Sequence, residues 1–207
     1  MMAAIVRSGF TLAAIAAVCT ALVAVTWSLT QQRIADNQQA YLEQSLQPAL
    51  GDVSYDTGIL DSRIEIPQPH EVPGKGPAVV YRVYNKGEPA AALFVVTARD
   101  GYSGPIRFLL GVKPDGTVAG IHVLEHRETP GLGDGIAADV SDWPLQFRGR
   151  GIGDPVVERW GIKEDGGEFD QLTGASVTPR AMVKSIRKTL LYFNSNRERV
   201  LGEEEAQ

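Results

Sequence analysis

Apolar residues along this chain fall into one long unbroken run followed by several short ones. Phe10 to Leu29 reads FTLAAIAAVCTALVAVTWSL, twenty residues without a charge, and about 20 are needed for a helix to cross a bilayer core. The run predicts a transmembrane helix over residues 10–29, with residues 1–9 ahead of it. A cleaved secretory signal competes with that reading. Its apolar region is only about 7–15 residues long and ends in a small-x-small cleavage site, whereas Leu22-Val23-Ala24 puts a large residue at the first position. Ala16-Ala17-Val18 before Cys19 also lacks the leucine and the adjacent small residue of a lipoprotein signal. Arg7 and Arg33 flank both ends, so the positive-inside rule leaves the orientation open.

Residues 30–50 are rich in Gln, Ala, Leu and Glu, with Ile34, Tyr41, Leu42 and Leu46 near helical spacing. The helix is therefore expected to continue as an exposed stalk to Pro48. IPQPHEVPGKGP, residues 66–77, reads as irregular surface chain, which makes 30–77 a stalk and linker. Four short runs follow, AVVYRVYN, PAAALFVVTAR, IRFLLGV and TVAGIHVLEH, separated by NKGE, DGYSGP and KPDG. Their β-branched and aromatic content predicts strands. Pro114-Asp115-Gly116 suits a tight turn, so the last two runs form an antiparallel hairpin, and short links throughout imply a meander. Beyond lie the loop HRETPGLGDGI, a short helix around Ala137 to Trp143, and a final helix from near Pro179. That helix carries Met182, Val183, Ile186, Leu190 and Phe193 at helical spacing. Strands first and helices at the ends make residues 78–207 an α+β domain.

Composition narrows the function classes. With 207 residues, 43% of them hydrophobic, the chain supports one anchor and one compact domain. Its single cysteine, Cys19, lies in the apolar run, leaving no disulfide framework and no thiolate set for zinc or an iron–sulfur cluster. Net charge is −5, and Arg7 is the only charge in the first thirty residues, which leaves −6 on the remainder. Nucleic acid is a poor partner for such a surface.

The segment FDQLTGASVTPRAM, residues 169–182, holds the candidate chemistry. Thr178-Pro179 suits a helix start, with threonine capping the free amides and proline at the first helical position. A capped helix alone leaves Thr173-Gly174-Ala175-Ser176 unexplained. These small residues let a ligand approach the backbone where a helix N-terminus favours an anion such as phosphate. Ser176 or Thr178 as a hydrolytic nucleophile lacks the G-x-S-x-G setting, with only His70, His122 and His126 available as base. GLGDG at 131–135 lacks the strand–turn–helix context of a dinucleotide site.

Asp170-Gln171-Leu172-Thr173-Gly174-Ala175-Ser176-Val177-Thr178 resembles the flavinylation signal D-x-x-[ST]-G-A-[ST]-x-T of FMN-binding domains in membrane redox complexes, matching every defined position. His126 to Asp134, HRETPGLGD, resembles their H-x-E-T-P-G-L-G loop, and Gly101 to Ile106, GYSGPI, their G-Y-x-G-x-I segment. Together with the anchor, the resemblance covers most of the chain and is specifically to the G-subunit family of Rnf-type (Rsx) ion-translocating electron transport complexes. The C-type subunit of the sodium-translocating NADH:quinone reductase, which shares the motifs but is usually longer, is the alternative. A membrane-anchored binding or assembly module, with Thr178 as a mere cap, is the alternative from another class.

The resemblance implies a single transmembrane helix followed by an antiparallel-sheet FMN-binding domain. It implies FMN attached covalently, through its phosphate, to Thr178 by a flavin transferase that uses FAD. Asp170, Thr173, Gly174, Ala175, Ser176 and Thr178 form the signal, and Thr173, Gly174, Ala175, Ser176, Glu128, Thr129 and Leu132 are the expected cofactor-binding neighbours. Tyr102 and Ser103 are further candidates for the pocket. The chain would then relay electrons, with no catalytic site of its own and no metal, among partner subunits that carry ferredoxin or NADH chemistry and the ion path. The expected location is a bacterial inner membrane, with the N-terminus in the cytoplasm and the soluble domain in the periplasm.

Overall fold

The computed structural model describes residues 2–56 and 58–202. It divides into two units, Met1–Gln44 and Ser45–Gln207. The first is helical throughout, as part of α1 (Met2–Leu50). Its stretch Leu12–Gln31 is long and apolar enough to cross a membrane, two residues on from the expected span. Leu12, Ile15, Val18, Leu22, Val25 and Leu29 are all exposed, and a helix that is apolar all round suits a lipid environment. Polar side chains within it satisfy themselves locally: the hydroxyls of Thr26 and Thr30 donate to the carbonyls of Leu22 and Thr26 at 2.8 Å.

The second unit is built on a five-stranded antiparallel sheet whose spatial order follows the chain. Its strands are β1 (Arg63–Ile66), β2 (Ala78–Asn85), β3 (Glu88–Ala98), β4 (Ile106–Val112) and β5 (Val118–Glu125). The four runs expected as strands are β2 to β5. The β4–β5 turn closes as expected, with the Gly116 amide donating to the Lys113 carbonyl at 2.9 Å and Asp115 Oδ1 accepting from the Thr117 amide at 2.9 Å. β1 is an addition within the stretch read as linker. Its four residues include exposed Arg63 and Glu65, as befits an edge strand, and leave too little apolar pattern to stand out.

One face of the sheet carries Val80, Phe94, Leu110 and Ile121, which share that face through the register. Helix α2 (Val177–Ser195) packs there and buries Met182, Val183, Ile186, Leu190 and Phe193. The Phe94 and Phe193 rings meet edge to face at 6.3 Å. Each such side chain contributes about 1.5–3 kcal/mol on burial. The short helix α3 (Arg197–Leu201) follows. Residues 143–170 add an aromatic cluster in which Phe147 lies 5.1 Å from Trp143 and 4.6 Å from Phe169, with Trp160 4.7 Å from Phe169.

The opposite face, with Tyr81, Leu93, Gly111 and Gly120, meets the last turn of α1. Gly111 and Gly120 are register partners. A Cβ on Gly111 would lie 2.2 Å from the Ala49 carbonyl oxygen, and one on Gly120 would lie 2.6 Å from that of Pro48.

The helix expected around Ala137 to Trp143 is absent. Two 3-10 turns, Gly133–Ile136 and Trp143–Phe147, stand on either side of a bend. Ser141 explains the break, because its hydroxyl donates to the Gly135 carbonyl at 2.6 Å and accepts the Trp143 amide at 3.1 Å. Such side-chain bonds compete with helix formation.

Candidate functional site

Three connections converge at the start of α2: the β3–β4 loop with Tyr102 and Ser103, the loop after β5 from His126 to Leu132, and the approach to α2 from Asp170 to Ser176. Between them lies a cavity of about 300 Å³. Tyr102, Glu128, Thr129, Leu132, Gly174, Ala175, Ser176 and Thr178, all singled out from sequence, line it together with Gly133 and Val177. Asp170 and Thr173 do not. They border a separate depression of about 610 Å³ with Lys163 and Glu164, and Gly174, Ala175 and Ser176 lie between the two.

The approach to α2 is tied down from behind. The Asp170 carboxylate pairs with Lys163 at 2.6 Å. Its backbone amide donates to Gln146 Oε1 at 2.7 Å, and its carbonyl accepts Trp143 Nε1–H at 2.6 Å. Asp170 thus fixes the loop to the aromatic cluster. The chain then turns, with the Ala175 amide donating to the Leu172 carbonyl at 3.0 Å and Gly174 at φ +77°, the left-handed region that glycine enters without strain. Arg180, in the first turn of α2, forms a two-pronged pair with Asp165 at 2.6 and 2.9 Å. The hydrogen bond from Arg180 holds the Asp165 carboxyl below its ordinary value.

Thr178 is not the cap. Ser176 occupies that position, without a side-chain capping bond, and Thr178 is the second helical residue. Pro179 is accordingly third, still within the turn whose amides lack intrahelical acceptors, so the ring costs no helical bond. The Thr178 hydroxyl turns inward instead. Only 1% of the residue is exposed, and its Oγ–H donates to Oε2 of Glu128, which is itself 4% exposed. The other carboxylate oxygen, Oε1, accepts the Ser103 amide at 3.0 Å. The Glu128 amide donates to His126 Nδ1 at 3.2 Å, so His126 shapes the loop and does not line the cavity. Gly133 closes over the pair: a Cβ there would lie 2.9 Å from both Glu128 Oε2 and Thr178 Oγ1.

The cavity mouth is apolar and open. Tyr102 is 73% exposed, Leu132 46% and Val177 40%. Three large apolar side chains bared around one depression suit a flat, largely apolar ligand. Gly133 and Val177 carried no warning in the sequence beyond their places in GLGDG and the x position of the signal. Ser103, a pocket candidate from sequence, does not line the cavity but donates its backbone amide to Glu128, a role its side chain does not announce.

Comparison with known proteins agrees with this arrangement. The profile of the FMN-binding domain matches residues 101–191, which contain every residue lining the cavity. That of the RnfG N-terminal region matches residues 1–48, which contain the apolar helix. The G subunit of the ion-translocating oxidoreductase complex from Vibrio atlanticus (strain LGP32) is 40% identical over 203 residues, covering 98% of this chain and 97% of the relative. That of Pseudomonas aeruginosa (strain UCBPP-PA14) is 41% identical over 200 residues, covering 97% and 94%. The chain belongs to this G-subunit family. A further member, from Shewanella loihica, is 38% identical over 202 residues, covering 98% of this chain and 95% of its own. Residues 49–100 lie between the two profiles and supply β1 to β3. In this chain the family takes the form of an apolar helix followed by an α+β domain, whose FMN-binding match includes both Glu128 and Thr178.

Proposed function

We propose that the chain is the membrane-anchored electron-transfer subunit of an Rnf-type ion-translocating oxidoreductase complex, carrying FMN bonded through its phosphate to Thr178 Oγ. The observation that carries this reading is the placement of the Thr178 hydroxyl: buried, held in one orientation by Glu128, and on a residue that lines a cavity at a helix N-terminus. A plain helix cap has no use for such burial. The bound flavin supplies redox chemistry that the side chains lack.

The chain's own residues do the holding. The free amides at the start of α2 would hold the phosphate, whose negative charge the helix N-terminus favours. Gly174 and Ala175 keep the approach clear, and Leu132 and Tyr102 offer apolar surface to the ring. Thr129 and Ser176 add hydroxyls at the rim, while Asp170 holds the signal loop in shape behind it. Residues 12–31 anchor the domain in a bacterial inner membrane, with the domain on the periplasmic side. The partners are the other subunits of the complex and, during maturation, a flavin transferase.

Intact-mass and tryptic-peptide mass spectrometry on full-length chain co-expressed with a flavin transferase tests the reading. An increment of FMN less one water on the peptide containing Thr178, absent from Thr178→Ala, is expected. No increment while the transferase labels a control substrate would return the chain to a membrane-anchored binding module.

A further inference from the structure

The buried carboxylate of Glu128 is chemically conspicuous. Among the described residues no Lys, Arg or His forms an ion pair with it, although buried charges are ordinarily paired. It instead accepts two hydrogen bonds, from the Ser103 amide at 3.0 Å and from the Thr178 hydroxyl. The first fixes the carboxylate and the second directs Oε2 at one proton. A Cβ at Gly133 would crowd both groups, so only glycine leaves the pair undisturbed. This is the geometry of a general base within hydrogen-bond reach of the proton it removes. The oxygen that loses that proton is the one assigned above as the attachment point.

We infer that Glu128 is the base for the chain's own modification. The inference rests on the reading of Thr178 as the flavin attachment site. In the step, Thr178 Oγ forms a bond to the phosphorus of the FMN half of FAD held by the transferase, and the bond from that phosphorus to the oxygen bridging to the AMP half breaks. AMP leaves with the bridging oxygen, and the Oγ proton passes to Glu128 Oε2. No electrons change hands. The transferase then needs to supply no base of its own to this hydroxyl, which lies beneath the surface of its substrate.

A structural role for Glu128 makes a different prediction. Glutamine has the same shape, accepts the Ser103 amide and still hydrogen-bonds the Thr178 hydroxyl, but cannot take a proton at its amide. The test is single-turnover flavinylation of detergent-solubilised full-length chain with a purified flavin transferase and FAD, followed by mass spectrometry of the Thr178 peptide, with thermal melting of each unmodified variant alongside. For Glu128→Gln the expected result is a rate about 10²- to 10⁴-fold below wild type with a wild-type melting transition. For Glu128→Asp, which keeps the carboxylate, a substantial part of that rate returns.

A Glu128→Gln rate within about threefold of wild type overturns the assignment, with general bases normally worth far more than that. Equal slowing of the Gln and Asp variants at an unchanged melting temperature also overturns it, in favour of a positioning role. If the Gln variant does not fold, Glu128→Ala decides, with formate or formamide added to the reaction: acceleration by formate alone supports the base, and no acceleration removes it. Wild-type chain that stays unlabelled by an active transferase overturns the attachment reading itself, and the base with it.

Discussion

Glycine makes room in two regions of this domain, and the room is used in opposite ways. At Gly111 and Gly120 the missing side chains admit the protein's own backbone, so closely that the Ala49 carbonyl oxygen occupies the place of a Cβ. At Gly133 and Gly174 the missing side chains leave a cavity of about 300 Å³ beside a buried hydroxyl. The first pair has ordinary strand backbone, whereas Gly174 sits at φ +77°. Small residues therefore mark both a filled contact that stabilises and an open one that leaves a cavity. The surroundings separate them: the filled one is ringed by buried Leu93 and Tyr81, the open one by exposed Tyr102 and Leu132.

The largest effect should come from the filled contact. Gly111→Ala puts a methyl group where backbone cannot yield, so the cost should exceed the usual ~1–3 kcal/mol of overpacking. Denaturant unfolding of the solubilised chain should show that loss, while the FMN incorporated per folded molecule stays at the wild-type level. A comparable fall in incorporation at unchanged stability would break the distinction between the two regions. Gly133→Ala should be milder in stability and severe in function, since its methyl group presses on Glu128 Oε2 and Thr178 Oγ1 alike. Flavinylation kinetics are the measurement, with a fall of tenfold or more expected.

Thr178→Ala sharpens the same contrast. It should abolish attachment while costing only about 1–3 kcal/mol in unfolding experiments, the range for removing one partner of a buried hydrogen bond. The cost belongs to the Glu128 oxygen left without its donor, and not to a lost helix cap, because the Thr178 hydroxyl makes no capping bond. Differential unfolding of Thr178→Ala and Thr178→Ala/Glu128→Gln checks this: part of the loss should return when the orphaned carboxylate is replaced by an amide.

The elements that were legible in the sequence are those whose pattern is local. The apolar run of the first helix, the four strands and the inward face of α2 each repeat at their own period, and the structure places them where those periods point. β1 was too short and too charged to show, and Ser141 broke a helix through bonds that periodicity does not register. The filled glycine contact joins Pro48 and Ala49 to Gly111 and Gly120 across about sixty to seventy residues, and no local pattern connects them. The site is similar. TGAS before Thr178 pointed to a close approach, and the resemblance added Glu128, but the hydrogen bond between Thr178 and Glu128 spans fifty positions. A local reading of Thr-Pro gave a cap, because a capping hydroxyl and a hydroxyl turned inward from the second helical position have the same sequence.

The smallest expected effect tests the glycine face from its edge. His122 follows Gly120 on the same face of β5, opposite Leu109. Burial lowers its pKa below the ordinary histidine value, with Asp139 opposing. The folded chain thus binds fewer protons at this site than the unfolded chain does, and stability rises with pH wherever that is so. The contribution is complete above the ordinary histidine value and is lost as pH falls from there through the lowered one. Half of the group remains near water, so the change is small. Unfolding midpoints from pH 8 down to 5 should fall slightly more for wild type than for His122→Gln, the two curves parting near the unfolded histidine value. Parallel curves would mean that the fold leaves His122 as well hydrated as in the unfolded chain, and that the filled contact ends at Gly120.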